Sequence, residues 1–219
     1  MNILVVSPHP DDETLGAGGT LLKYKMEGQK VFWLNCSNVD VSYGYPGDMV
    51  NKRLKEIELV KERYAFDGYL DLHLRPSKLD SYPCHDIISM ISEVIGRWKP
   101  EELLAPYQFD AHSDHRVVFD LLVPFFKSFR YPFIKKVLMM EILSETDNAV
   151  PPFGFTPNYF VDISNYLESK IDIMKLYKDE IKYPPFPRSE ENMRALSRYR
   201  GATVGVEYAE AFMLLKEVK

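Results

Sequence analysis

The start of the chain alternates short apolar runs with a segment whose apolar residues recur at helical spacing. Residues 2–6 (Asn-Ile-Leu-Val-Val) form a run that stops at Ser7, which is typical of a buried strand. A helix is predicted to follow, starting at Asp11 or Asp12 and ending at Gly28, and residues 31–36 predict the next strand. A strand, a helix and a strand in this order form a βαβ unit, which predicts parallel pairing with a right-handed crossover.

The alternation continues along most of the chain. Further helices are predicted over 51–64, 87–98 and 117–126, and further strands over 103–105 and 136–142. After a proline-rich stretch at 151–157 the pattern predicts a strand over 159–161, a helix over 164–181, a break at 183–187 and a helix from Ser189 to Tyr199. This order predicts an α/β fold with a mostly parallel sheet.

Length and composition fit one globular unit. The 219 residues contain no repeat and no linker, so we expect a single domain over 1–219. The net charge of −5 gives no reason to expect a nucleic-acid partner, because nucleic-acid-binding proteins carry basic surfaces. No apolar run approaches the length of a transmembrane helix, and Cys36 and Cys84 form no disulfide framework. We expect a cytoplasmic protein in which both cysteines are buried.

Three of the five histidines fall in two clusters rich in aspartate. Residues 8–13 (Pro-His-Pro-Asp-Asp-Glu) and residues 110–115 (Asp-Ala-His-Ser-Asp-His) each follow a predicted strand and precede a predicted helix. In a parallel sheet such loops meet at the carboxyl edge, where ligands bind. His9, Asp12 and one imidazole of the second cluster match a catalytic zinc site that keeps one position open for water. The neighbouring Asp11 is then free to act as a base.

Plainer interpretations remain open at this point. Asp12 could serve only as a helix N-cap, and His112 or His115 could be a structural residue. A dinucleotide site at residues 16–19 (Gly-Ala-Gly-Gly) is disfavoured, because Pro8 and Pro10 remove backbone N–H groups where a pyrophosphate would bind. We expect these glycines to allow close packing of the helix on the sheet. No nucleophile elbow occurs, and neither cysteine has a neighbouring base.

The two clusters together closely resemble the LmbE-like (PIG-L) family of zinc-dependent sugar de-N-acetylases. The resemblance extends over nearly the whole chain, to Arg53-x-x-Glu56, residues 157–164, 187–189, 200–201 and 208–212. It implies a Rossmann-like three-layer sandwich with the metal at the carboxyl edge of the strands. The chain departs from the family pattern at Ser113, where many members have proline, and at residues 35–38, which lack a Thr-x-Gly pattern.

The resemblance also implies roles for individual residues. His9, Asp12 and His115 would bind zinc, although Fe(II) suits the same donors. Asp11 would be the general base, and His112 an imidazolium that stabilises the oxyanion or protonates the leaving amine. Asp114 would support the site beside the metal, and Arg53 would contact substrate or pair with Glu56 or Glu58 as a helix charge.

The expected function is therefore hydrolysis of the N-acetyl group of an N-acetylated sugar, with N-acetylglucosamine as the expected type. The alternatives are hydrolysis of another small amide, and a nonenzymatic sugar-binding module on the same scaffold. A nucleotide-linked or lipid-linked sugar is one substrate class to consider, because a group of arginines could hold a phosphate or could simply face solvent (Arg188, Arg194, Arg198 and Arg200). The pattern leaves the oligomeric state open, and a homo-oligomer is one alternative.

Overall fold

The structure is a computed structural model that describes all residues from Met1 to Lys219. The strands are β1 (Asn2–Ser7), β2 (Lys30–Ser37), β3 (Gly68–Leu74), β4 (Glu102–Ala105), β5 (Lys136–Met140), β6 (Tyr159–Asp162) and β7 (Ala209–Glu217). The helices are α1 (Asp12–Met26), α2 (Gly47–Tyr64), α3 (Cys84–Trp98), α4 (Ser113–Leu122), α5 (Leu167–Met174) and α6 (Glu190–Val204). None of these helices combines the length and the apolar character that a bilayer-spanning helix needs.

All seven strands form one sheet in the order β3-β2-β1-β4-β5-β7-β6. The five strands β1 to β5 pair in parallel, and β7 runs antiparallel to both β5 and β6. The predicted α/β fold with a mostly parallel sheet is confirmed.

Helices cover both faces of the sheet, which gives the expected three-layer sandwich. Alternate residues of β1 point to opposite faces, so that Ile3 and Val5 join one apolar core while Leu4 and Val6 join the other. Helices α1, α2, α5 and α6 pack on the first face, and α3 and α4 on the second. Burial on both faces explains why the central strands are continuous apolar runs.

Several element boundaries differ from the predictions. The helix expected over 164–181 is α-helical only from Leu167 to Met174, because the chain then turns, and Tyr177 hydrogen-bonds to Glu13 while Glu180 accepts from Arg53. The helix expected over 117–126 begins at Ser113 and ends at Leu122, and α6 continues to Val204. Strands β3 and β7 were not predicted.

Helix α1 approaches the sheet closely through its glycines, as predicted. A Cβ atom at Gly16 would lie 2.9 Å from Met140 Cβ, and one at Gly19 would lie 2.7 Å from Ile163 Cγ2. Any larger residue there would overlap its neighbours, so these glycines serve packing.

A buried ion pair ties α1 to the last strand. Lys170 Nζ lies 2.6 Å from Glu210 Oε1 and donates a hydrogen bond to the Leu15 carbonyl at 2.8 Å. The Glu210 carboxylate also accepts hydrogen bonds from the backbone N–H groups of Gly19 and Thr20, at 2.8 and 2.7 Å. Residues far apart in sequence therefore fix the middle of the helix that follows the first cluster.

The two cysteines are both free, as expected, but they differ in exposure. Cys36 is buried in β2, whereas Cys84 is exposed at the first turn of α3, so the expectation that both are buried was wrong for Cys84.

Candidate active site and metal centre

The two clusters lie side by side at the centre of the sheet edge. Strands β1 and β4 are neighbours, and the chain leaves them toward opposite sides of the sheet. Such a reversal opens a crevice outside the carboxyl ends of the strands. The loops after β1 and β4 therefore bring residues about 100 positions apart into one site.

His9, Asp12 and His115 meet in this crevice. Asp12 Oδ2 lies 3.4 Å from His9 Nδ1 and 3.2 Å from His115 Nε2. One ligand atom of each residue falls within 4.8 Å of the others, and Asp12 and His115 are buried. Two imidazole nitrogens and a carboxylate oxygen in this arrangement are a donor set that suits a divalent transition metal.

The far nitrogen of each histidine is held by a further carboxylate. His9 Nε2 lies 3.0 Å from Asp114 Oδ2, and His115 Nδ1 lies 2.8 Å from Asp110 Oδ2. Asp110 is itself fixed by a hydrogen bond from Thr146 Oγ1 at 2.7 Å. Carboxylates in this position set the tautomer and orientation of metal-binding histidines. The residues therefore fit a metal at His9, Asp12 and His115.

A second group, His9, His112 and Asp114, also has its donor atoms close together. Asp114, however, already accepts hydrogen bonds from the backbone N–H groups of Ser77 at 2.6 Å and Leu79 at 3.3 Å. These contacts favour a supporting role for Asp114 and leave the first group as the better metal site.

Nearby carboxylates set the charge of the histidines. Burial alone would lower the pKa of His9, but Asp114 and Asp12 outweigh it and raise the pKa to about 9. Burial likewise opposes charging of His115, and Asp12 and Asp110 raise its pKa to about 10. Asp12 is also buried, yet the two histidines hold its pKa well below the usual range. Metal ligands are neutral imidazoles, so binding of a metal would release these protons.

Asp11 occupies an unusual backbone conformation beside this group. Its φ of 136° and ψ of −28° are rarely adopted by an L-residue, and its N–H donates to Glu13 Oε2 at 3.0 Å. The side chain makes no cap to α1, and it accepts a hydrogen bond from Arg188 Nη1 at 2.8 Å. Burial and the charge of Asp12 raise the pKa of Asp11, while Arg188 opposes the shift. A buried carboxylate with a raised pKa is suited to accept a proton.

Asp12 is also not a simple helix cap. Its Oδ2 accepts a hydrogen bond from the backbone N–H of His9 at 2.9 Å and faces the two histidines, while the N-cap position belongs to Asp11. Helix capping therefore does not explain either aspartate.

His112 lies at the mouth of the site with a defined tautomer. Its Nδ1 accepts a hydrogen bond from the backbone N–H of Asp114 at 3.1 Å, which places a proton on Nε2 in the neutral ring. Burial and the positive charges of His9 and His115 lower the pKa of His112. The imidazolium form expected from the resemblance disagrees with this contact, because it would put a second proton on Nδ1. The geometry favours a neutral His112 that donates through Nε2.

A pocket of about 270 Å³ opens onto these residues. Its wall includes His9, Asp11, His112, Arg53 and Arg188. The Arg53 side chain is only 11% exposed, and it donates to the Pro10 carbonyl at 3.1 Å and to Glu180. Arg53 is therefore a partly buried residue of the pocket wall and not an exposed helix charge.

The four arginines that sequence reasoning grouped do not form a basic cluster. Arg188 enters the site, where it contacts Asp11 and Glu145. The others pair with separate carboxylates, as Arg194 with Glu168, Arg198 with Glu207 and Arg200 with Glu141. The sequence indicated neither the contact of Arg188 with Asp11 nor that of Asp110 with His115.

Comparison with known proteins gives a consistent result. The sequence model of the PIG-L family, described as GlcNAc-PI de-N-acetylase, matches residues 4–126. The diacetylchitobiose deacetylase of Thermococcus kodakarensis is 27% identical over 217 residues, which cover 95% of this chain and 80% of that protein.

Solved structures show the same fold. A conserved protein of Thermus thermophilus superposes with a TM-score of 0.79 at 25% identity, covering 99% of this chain and 96% of that one. The N,N′-diacetylchitobiose deacetylase of Pyrococcus horikoshii superposes with a TM-score of 0.78 at 20% identity, covering 98% and 84%. The resemblance carried by the two clusters is confirmed, and this chain belongs to the PIG-L family of carbohydrate de-N-acetylases.

Proposed function

We propose that this protein is a metal-dependent hydrolase that removes the N-acetyl group from a sugar of the N-acetylglucosamine type. The observation that carries the proposal is the group of His9, Asp12 and His115, held by outer carboxylates, with Asp11 beside it. The N-acetylated disaccharide named for the Thermococcus relative supports a small glycan as substrate.

The metal would be held by His9, Asp12 and His115, and zinc is the ion we propose. When bound there, it would supply a Lewis acid for the amide carbonyl and lower the pKa of a coordinated water. Fe(II) suits the same three donors, so metal analysis of the purified protein decides between the two ions.

Residues of this chain carry out the proton transfers of the reaction. Asp11 accepts a proton from the attacking water through a carboxylate that Arg188 holds at 2.8 Å. The Nε2–H of His112 donates a hydrogen bond to the developing oxyanion, which its neutral tautomer allows. As the C–N bond breaks, the proton held by Asp11 passes to the amine, and acetate and a free amino sugar leave.

Arg53 and Asp114 support this arrangement. Asp114 fixes the ring of His9, and Arg53 closes one wall of the pocket, where its exposed edge is proposed to contact the sugar. Because Nη1 already donates to the Pro10 carbonyl and Nη2 to Glu180, that contact is limited.

The test is acetate release from N,N′-diacetylchitobiose by the zinc-loaded protein, compared with the Asp11→Asn variant. We expect the substitution to lower kcat by about 10²- to 10⁴-fold, because the base is lost, while the bound zinc stays stoichiometric. Asp48→Asn is the control, because Asp48 is exposed on α2. Full activity of Asp11→Asn would contradict the role of Asp11, and activity only on amides that are not sugars would contradict the substrate class.

A further inference from the structure

Glu180 pairs with both arginines of the pocket wall. One of its carboxylate oxygens accepts from Arg53 Nη2, and the other lies 3.2 Å from Arg188 Nη1. Glu180 itself lines the pocket, with a side chain about one quarter exposed (28%). Its charge therefore faces the pocket, on the wall that also carries Arg53 and Arg188.

The arginines have little capacity left for another anion. Arg188 Nε donates a hydrogen bond to Ser144 Oγ at 2.8 Å. The terminal nitrogens of Arg188 contact Asp11 at 2.8 Å, Glu145 at 3.1 Å and Glu180. Arg53 Nε lies 3.5 Å from Glu56, and Nη1 is bound to a backbone carbonyl. Both guanidinium groups are thus surrounded by acceptors of this chain.

Beyond these two arginines the lining of the pocket offers no arginine or lysine. It contains two arginines, three carboxylates from Asp11, Glu145 and Glu180, and no lysine. Phosphate recognition in proteins relies on unpaired arginine or lysine groups or on free backbone N–H groups. A phosphate here would instead face Glu145 and Glu180, and like charges in a partly desolvated site repel strongly.

We propose that Glu180 is a specificity-determining residue that makes the site select uncharged N-acetylated sugars over sugars that carry a phosphate. This inference rests on the proposed function and names its substrate class more narrowly. It replaces the phosphate-binding role that the sequence allowed for Arg188. Glu145 and Glu180 keep free lone pairs, which suit the hydroxyl groups of a neutral sugar.

The test compares two matched substrates, the methyl glycoside of N-acetylglucosamine and N-acetylglucosamine 1-phosphate with the same anomeric configuration. For the zinc-loaded full-length protein we expect kcat/KM to favour the methyl glycoside by about 100-fold, because the phosphate meets like charge. In Glu180→Gln, which keeps the shape and removes the charge, this preference is expected to fall by about 10-fold. Glu145→Gln is a second variant with the same expected direction if Glu180→Gln folds poorly.

Asp179→Asn is the matched control, because Asp179 is the exposed neighbour of Glu180 and pairs with Lys52 outside the pocket. Its substrate preference should equal that of the unchanged protein. Equal or better hydrolysis of the phosphate by the unchanged protein overturns the inference, as does an unchanged preference in both Gln variants. If N,N′-diacetylchitobiose is hydrolysed in the same assays, the proposed function stands and only the selectivity fails. If none of the three sugars releases acetate, the proposed function itself fails.

Discussion

Asp110 illustrates how one buried carboxylate can serve the site without touching a substrate. It accepts from His115 Nδ1 and from Thr146 Oγ1, and it is fully buried. Such a contact holds the imidazole with Nε2 facing the other ligands.

We predict that Asp110→Asn weakens zinc binding by about 10- to 100-fold, because the amide orients His115 less well and makes it a weaker ligand. Competition with a chelator of known zinc affinity measures the change. Asp120→Asn, on the exposed side of the same helix α4, should bind zinc as the unchanged protein does. Unaltered zinc affinity in Asp110→Asn would show that His115 is oriented by packing alone.

At the residue scale the sequence predicts the residues within each cluster better than the contacts between distant ones. His9, Asp12 and one imidazole of the second cluster are predicted together because their clusters follow two strands that end at the same edge, and the family resemblance implies that the imidazole is that of His115. Arg188 and Asp11 are separated by 177 positions, and only packing of the C-terminal segment brings them together. The contact of His112 Nδ1 with the backbone N–H of Asp114 is one that no sequence pattern shows.

At the element scale, α1 is held close to the sheet by residues that lack a side chain. A Cβ at Gly19 would lie within 3 Å of three atoms of Ile163, whose branched side chain is packed in the core. At Gly96 in α3 a Cβ would meet nothing within 4 Å. Gly19 and Gly96 therefore share a helical backbone conformation, but only Gly19 is packed against a neighbouring side chain.

We predict opposite effects for the two alanine substitutions. Gly19→Ala should lower the free energy of unfolding by about 1–3 kcal/mol, because overpacking outweighs the gain in helix propensity. Gly96→Ala should raise it by up to about 1 kcal/mol, because only the propensity changes. Urea unfolding followed by circular dichroism measures both, and a stabilised Gly19→Ala would mean that Ile163 moves aside at little cost.

The sequence predicts those strands and helices in which the apolar residues follow one regular pattern. The central strands each contain a continuous apolar run, and α2 and α3 have a clear apolar face, so the sequence predicts them. Strand β3 lies at the edge of the sheet and carries Asp71 and His73 among its apolar residues, which hides its pattern. In β7 the buried Glu210 interrupts the apolar run, and the reason for its burial is Lys170, on another element.

At the scale of the whole molecule, the Lys170–Glu210 pair joins α1, α5 and β7. The family model matches residues 4–126, while this pair connects that region to the remaining C-terminal part. We therefore propose that residues 1–219 fold as one domain.

We predict that Lys170→Met lowers the free energy of unfolding by about 3–5 kcal/mol, because Glu210 is left as a buried charge without its partner. The double variant with Glu210→Gln should recover part of this loss, since no charge then remains. Lys52→Met, which breaks the exposed pair with Asp179, should change stability by less than about 1 kcal/mol. Calorimetry measures these changes and should show one transition, whereas two separate transitions would contradict a single domain.

The two cysteine thiols differ in burial, so their reaction with a thiol reagent reports how often the sheet opens. Cys84 is at the surface, while Cys36 lies in β2, where burial and the charge of Asp71 raise the pKa of its thiol. A thiol reagent added for a short time would mark Cys84 at once and Cys36 only in molecules whose sheet has opened. The rate of labelling at Cys36 then measures how often β2 separates from its neighbours at the end that lies beside the candidate site. No engineered label is needed.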